Sequence, residues 1–251
     1  MLSRLVRVVA LAIAIGAGEL TGQAAQDGQD PDVLYRDREA PASARTAADI
    51  WKRRAAETPA DVESGWKYAR ACYWMGTSGP DARDARRRWL QEGIATARVV
   101  IAQAPTRPEG HFWLAANMGA LAEAHGLREG IRYRRPTREA LETVLTLDPG
   151  YLDGSADRAL GRWYFKVPGI MGGDKARAEQ HLRKALTYKS DSIISLIFLA
   201  ELLIDRDKSD EARVLLDAAV AAPIDPQWAP EDRRFKVQAR ELLAALASRR
   251  R

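Results

Sequence analysis

The chain has 251 residues, 46% apolar and 29% charged, with 44 alanines. This composition excludes disorder throughout and a collagen-like fibre, and it favours helices. The formal charge is only +5, three of the basic residues forming the terminal run Arg249, Arg250, Arg251, which is too small an excess for a broad nucleic-acid-binding face.

Arg4 and Arg7 precede an uncharged stretch from Val8 to Gly18, followed by Glu19 and the small-residue run Gly22-Gln23-Ala24-Ala25. That layout predicts a secretory signal peptide over residues 1–25, cut near Ala24 or Ala25. The apolar stretch reaches only about 16 Å as a helix, short of a ~30 Å hydrocarbon core. Retention as an anchor is the alternative. The expected destination is the periplasm, and Cys72 lies too far along the chain to carry a lipid there. Residues 26–42, rich in Asp and Gln with Pro31 and Pro41, read as a flexible lead-in.

Residues 43–251 read as one helical-repeat domain. Ser43 is the expected N-cap of a first helix running to Glu57. Beyond it, helical three-four spacing dominates and strand-like alternation is nearly absent. Leu196-x-x-Leu199-Ala200-x-x-Leu203 is followed by Ala212-x-x-x-Leu216-x-x-Ala219, the large-and-small pattern of a tetratricopeptide-like hairpin. Small residues let the two helices approach, and leucines fill the space between hairpins. Earlier copies centre on Tyr68, Leu114 and Leu160. These anchors and Leu199 stand 46, 46 and 39 residues apart, against about 34 for a regular repeat. Extra residues are therefore expected around Gly76–Asp84, Gly126–Arg135 and Pro168–Gly172. Leu242, Leu243 and Leu246 predict a C-terminal capping helix after Pro230. The expected fold is all-α: about four hairpins stacked into a compact, bent solenoid.

Three stretches carry a family resemblance: Glu109-Gly110-His111-Phe112-Trp113-Leu114-Ala115, the segment from Ala159 through Val167-Pro168-Gly169-Ile170-Met171-Gly172-Gly173-Asp174, and Trp228-Ala229-Pro230-Glu231-Asp232. Together they resemble the T component associated with tripartite ATP-independent periplasmic transporters. A looser similarity runs to the eukaryotic regulators of microtubule dynamics. The resemblance implies an exported, non-enzymatic repeat protein that acts beside a solute-binding receptor. The family's frequent lipidated cysteine is missing from this sequence.

The chemical candidates are few. Gly169 to Lys175 lacks the order of a phosphate loop and reads as a tight turn with Asp174 capping the next helix. His111, His125 and His181 stand too far apart in sequence for a helical ligand pair, and one cysteine permits neither a disulfide framework nor a cysteine-based zinc site, so no metal, cofactor or catalytic residue is assigned. Cys72 occupies a position suited to a buried small residue, with pairing to another molecule as the alternative. Arg86-Arg87-Arg88 reads as a solvated helix face, and Asp205 and Asp207 as acids of a turn.

Residues of the first helices that avoid the core are expected to line a concave groove. They are Glu63, Trp66, Arg70, Tyr73 and Trp74, then Phe112 and Trp113, then Arg158, Arg162, Phe165 and Lys166. Rings offer contact area at low entropic cost, and guanidinium groups fork onto carboxylates. The competing reading makes the tryptophans filler between irregular hairpins. The expected function is a scaffold that takes a partner protein or an anionic, partly apolar ligand in this groove. A structural subunit of a homo-oligomer is the second reading, and a hydrolase with a scattered site the third.

Overall fold

A computed structural model of the chain describes residues 28–248. The expected signal peptide and the Arg249–Arg251 run lie outside the described residues. Two N-terminal helices, α1 (Pro31–Arg36) and α2 (Pro41–Glu57), precede four antiparallel hairpins. These are α3 (Val62–Ser78) with α4 (Arg83–Gln103), α5 (Pro108–Ala124) with α6 (Leu127–Leu147), α7 (Tyr151–Lys166) with α8 (Lys175–Tyr188), and α9 (Ile193–Asp205) with α10 (Ser209–Ala221). The last element is α11 (Ala229–Ser248). Among the described residues there is no strand, and no helix is long and apolar enough to cross a membrane.

Each first helix packs on its own partner and on the next first helix, α3 on α5, α5 on α7 and α7 on α9. The small residues make that approach possible. Ala200 and Ala212 are completely buried, and a Cβ added at Gly161 would sit 2.5 Å from Leu182 Cγ. At Gly93 the same addition would meet Asn117 Oδ1 at 2.4 Å. Asn117 itself ties α5 to α3 by donating to the Ala69 carbonyl (3.0 Å). The expected all-α hairpin stack is the observed fold.

Spacing irregularity comes mainly from the second helices. α4 and α6 have 21 residues each, whereas α8 has 14 and α10 has 13. The extra residues expected near Gly126–Arg135 are thus absorbed as additional turns of α6. α7 opens on a left-handed turn, with φ of 46° at Leu152, 56° at Asp153 and 73° at Gly154, before the regular helix begins. Only Gly154 adopts that conformation without steric cost.

Two expectations at the N-terminus need correction. Residues 26–42 are not wholly a flexible lead-in: they contain α1 and the buried side chains of Tyr35 and Arg38. Nor does Ser43 cap α2. Pro41, with its pre-set φ, starts the helix early, and Ala40 stands at the cap without a side-chain bond. The Ser43 hydroxyl donates instead to Asp37 Oδ2 (3.0 Å).

Candidate functional site

An aromatic cluster joins the first helices. Tyr73 on α3 lies 5.9 Å from Trp113 on α5, Phe112 meets Trp113 edge-on at 5.1 Å, and Tyr151 at the start of α7 meets Phe112 at 5.5 Å. Burial pushes the Tyr73 and Tyr151 phenols above the usual range. Tyr151 was not among the expected groove residues, because it precedes the regular part of α7 and shares no register with it.

The expected groove residues separate into three environments. Arg70 and Trp66 form an aromatic box with the N-terminal helices. The Arg70 guanidinium lies 4.2 Å from the Tyr35 ring centre, 5.4 Å from Trp51 and 5.2 Å from Trp66, with Asp32 Oδ1 at 3.7 Å. Trp74 belongs to the same end and donates its indole N–H to the Arg38 carbonyl (2.9 Å). Glu63 turns outward to Lys67 (2.7 Å).

Tyr73, Phe112, Trp113 and Arg158 lie in the middle of the stack, but the expectation that all of them avoid the core needs correction. Phe112 and Trp113, like Trp74, are buried core residues that fill the space between hairpins, while Tyr73 and Arg158 remain partly exposed. The indole nitrogens of Trp66 and Trp113 are buried without a hydrogen-bond partner, as is Arg70 Nε. Arg158 is half-buried, makes no ion pair or hydrogen bond among the described residues, and has its pKa pushed down to about 10 by loss of hydration. Arg162 is different. Its guanidinium spans Glu123 on α5 (2.9 Å) and Glu201 on α9, and lies 4.6 Å from the Phe198 ring. Its charge is therefore already matched, and it acts as a brace between three first helices.

Phe165 and Lys166 sit at the far end of α7, where they line a shallow cleft with Pro168, Gly173 and Lys175. The expected turn is present there. Gly172 has φ of 100°, and Asp174 Oδ1 accepts from the Ala176 (2.8 Å) and Arg177 (3.0 Å) amides to start α8.

The capping helix does more than cover the last hairpin. α11 runs along the inner face: Gln238 donates to Glu201 (2.8 Å), Phe235 meets Phe198 edge-on at 6.2 Å, and Arg234 lies 5.4 Å from the Trp74 ring. At its first turn Glu231 accepts from Arg38 Nε (3.1 Å), and Arg38 also donates to the Gln227 carbonyl (2.9 Å). The two ends of the stack thereby meet. Glu231, Asp232, Phe198 and Phe235 all join the site region, and sequence periodicity offered no sign of that.

Other ionisable groups are engaged in structure. His181 pairs with Asp157 (2.7 Å) and stacks on Tyr164 at 5.5 Å. His111 Nε2 lies 2.9 Å from the Pro105 carbonyl. Arg87 pairs with the buried Glu129, and Asp205 with Lys175 (2.5 Å). Among the described residues no group of three or more His, Cys, Asp or Glu side chains is placed to hold a metal ion.

This architecture has relatives. A thermophilic tetratricopeptide-repeat protein of Thermus thermophilus superimposes with a TM-score of 0.63 at 21% identity, covering 85% of this chain and 97% of that one. MamA 41-end from Desulfovibrio magneticus RS-1 aligns with a TM-score of 0.49 at 16% identity, covering 75% and 93%. Regulator of microtubule dynamics protein 3 of Xenopus laevis is 29% identical over 105 residues, which is 42% of this chain. The chain matches only 22% of the length of that relative. Residues 29–171 match the family model for regulator of microtubule dynamics protein 1-3, and residues 110–248 match the model for the TRAP transporter T-component. Each of these two matches covers more than half of the chain. The chain thus belongs to the TRAP transporter T-component family, shares a repeat body with the microtubule regulators, and is built from helical repeats of the tetratricopeptide kind.

Proposed function

We propose that this protein is an exported, non-enzymatic scaffold that holds an anionic, partly apolar small molecule on its inner face and docks a periplasmic solute-binding receptor from outside. Family membership supports the transport setting, and the sequence of residues 1–25 supports export. One observation carries the ligand reading: Tyr73, Phe112, Trp113 and Tyr151 form a continuous aromatic cluster across the first helices, of which Tyr73 and Tyr151 are partly exposed, and the Trp66 indole N–H and Arg70 Nε are buried without a hydrogen-bond partner. Helix α11 packs on the first helices through Gln238, Phe235 and Arg234 and so occupies the place that a partner helix would take.

Native mass spectrometry of protein purified from its own envelope tests this. A bound small molecule is expected, and Tyr73→Ala, at a partly exposed position, removes it while leaving the melting temperature near that of wild type. A wild-type protein that carries nothing would overturn the ligand reading. N-terminal sequencing of the same sample checks for cleavage near Ala25.

A second reading, the homo-oligomer, rests on Leu127 and Ile131, which stand one turn apart on α6 at 76% and 54% exposure. Such a pair on an outer helix suits contact with a second copy. Light scattering decides it: a strict monomer at micromolar concentration rules it out.

A further inference from the structure

The positive charge of this chain is concentrated in one place. Residues 83–88, opening α4, and residues 127–138, opening α6, hold nine arginines and two acids, Asp84 and Glu129. Glu129 is buried against Arg87 and contributes no surface charge. The two helix openings adjoin: besides that pair, the Arg83 guanidinium donates to the Ala124 carbonyl at the end of α5 (3.3 Å). Burial, and after it the charges of Arg83, Arg87 and Arg86, hold the His125 imidazole below its usual range at the α5–α6 turn. Arg135 and Arg138 are matched by Glu139 (2.6 Å) and Glu142 (3.4 Å). Arg83, Arg86, Arg88, Arg128, Arg132 and Arg134 pair with no acid among the described residues.

Three exposed apolar side chains stand in this basic field. Leu127 and Ile131 are each followed in sequence by one of the unpaired arginines, Arg128 and Arg132. Ile170, 99% exposed, tips the turn between α7 and α8. That turn leans on α6 through Trp163. A Cβ at Gly172 would lie 3.7 Å from the Trp163 ring, whose indole N–H donates to the Arg134 carbonyl (2.9 Å) and whose face has the Arg138 guanidinium at 5.6 Å. Nothing stands within 4 Å of a Cβ built at Gly126 or Gly169, so the α5–α6 and α7–α8 turns both project into open space. Ile170 and Leu127, the two most exposed large apolar side chains among the described residues, thus sit on the tips of neighbouring hairpins.

We propose that this edge docks on an anionic phospholipid bilayer, with Leu127, Ile131 and Ile170 entering the headgroup region and the unpaired arginines of α4 and α6 holding lipid phosphates. Projecting apolar side chains rimmed by cations suit the boundary between headgroups and acyl chains. Guanidinium forks onto phosphate oxygens better than a lysine ammonium does, and the basic residues of both openings are all arginine. A second copy fits the edge less well, because a two-fold contact centred on Leu127 and Ile131 sets the arginines of one copy against those of the other. No helix among the described residues is long and apolar enough to cross the bilayer, so this attachment lies on its surface. The docking is separate from the inner-face ligand and holds whether or not one binds there.

Co-sedimentation with vesicles tests the assignment on protein purified from its own envelope. One vesicle is phosphatidylcholine alone, and the other holds phosphatidylcholine and phosphatidylglycerol in equal parts. On the anionic vesicle Arg128→Gln with Arg132→Gln should weaken binding about tenfold or more, and Leu127→Ser with Ile170→Ser should do the same. On the neutral vesicle the arginine variant should match wild type. Val214→Ser, at an exposed apolar position on α10, should bind both vesicles as wild type does. All five side chains are exposed, so melting temperatures should stay within about 2 °C of wild type. Residues 1–25, where retained, are common to every variant and cancel in the comparison. A wild-type chain that stays in the supernatant with the anionic vesicle, or an arginine variant that binds it unchanged, overturns the bilayer as occupant. So does an arginine variant that weakens on both vesicles alike. A dimer in light scattering that Leu127→Ser dissolves overturns it in favour of a second copy.

Discussion

Arg38 and Glu231 are 193 residues apart in sequence, yet Arg38 Nε donates to Glu231 Oε1 at 3.1 Å, with the arginine side chain only 1% exposed. Burial pushes the Glu231 carboxyl upward, while Arg38 draws it back down. The pair is locked further by the Tyr35 and Gln227 carbonyls, so removing one member leaves a buried charge without its match.

Glu231→Ala should therefore destabilise the protein by about 3 kcal/mol in urea unfolding. Arg38→Met combined with Glu231→Leu should recover most of that loss, because two apolar groups leave no charge stranded. A double variant as unstable as the single one would mean that the contact matters for shape and not for charge.

The Pro168–Gly173 turn offers a sharper steric contrast. A Cβ at Gly173 would lie 1.7 Å from the Val167 carbonyl oxygen, whereas at Gly169 nothing stands within 4 Å. Gly173→Ala should cost ~3 kcal/mol, since backbone cannot move aside as a side chain can. Gly169→Ala should fall within about 0.5 kcal/mol of the parent. Paired thermal melts check both.

Asp225 gives a pH signature. Burial works to raise its carboxyl, but Lys189 Nζ at 2.5 Å and the Gln227 amide at 2.9 Å outweigh that and hold it below the usual range. A depressed carboxylate stabilises the fold above its unfolded pKa, and that contribution disappears as pH falls through the folded value. Asp225→Asn should thus cost about 1 kcal/mol at neutral pH, and the gap to wild type should close below about pH 4. Calorimetry across that range would show it. Glu231 has the opposite sign: its raised carboxyl disfavours the fold as pH rises through it.

Cys72 is completely buried, and burial, reinforced by Glu92, pushes its thiol well above the ordinary range. A thiol reagent should leave the native protein unlabelled and react fully once urea unfolds it. Rapid native labelling would show that α3 opens locally. It would also revive pairing with another molecule.

Much of this could be read from residue patterns. Ala200, Ala212, Gly161 and Leu216 carry the three-four spacing that predicts the hairpins, and each is packed as that spacing requires. Asp174 announces the start of α8 because capping is a local event. The site was less legible. Trp66, Arg70, Tyr73, Phe112, Trp113, Arg158, Arg162 and Phe165 were expected in one groove, and all lie on first helices. Which of them are free depends on partners such as Asp32, Glu123 and Glu201, several helices distant. The course of α11 and its contact with Arg38 leave no periodic trace, since one ion pair between remote segments repeats nowhere.

A chain of stacked hairpins ordinarily tolerates gaining or losing a unit, because each touches only its neighbours. Here the Arg38–Glu231 contact and its companion, Glu39 with Arg233 (3.4 Å), tie the first segment to the last. Inserting a hairpin would carry one half of each pair out of reach of the other. An added unit would thus cost this molecule contacts that an open array does not have, and substitution of side chains within the existing units disturbs it less.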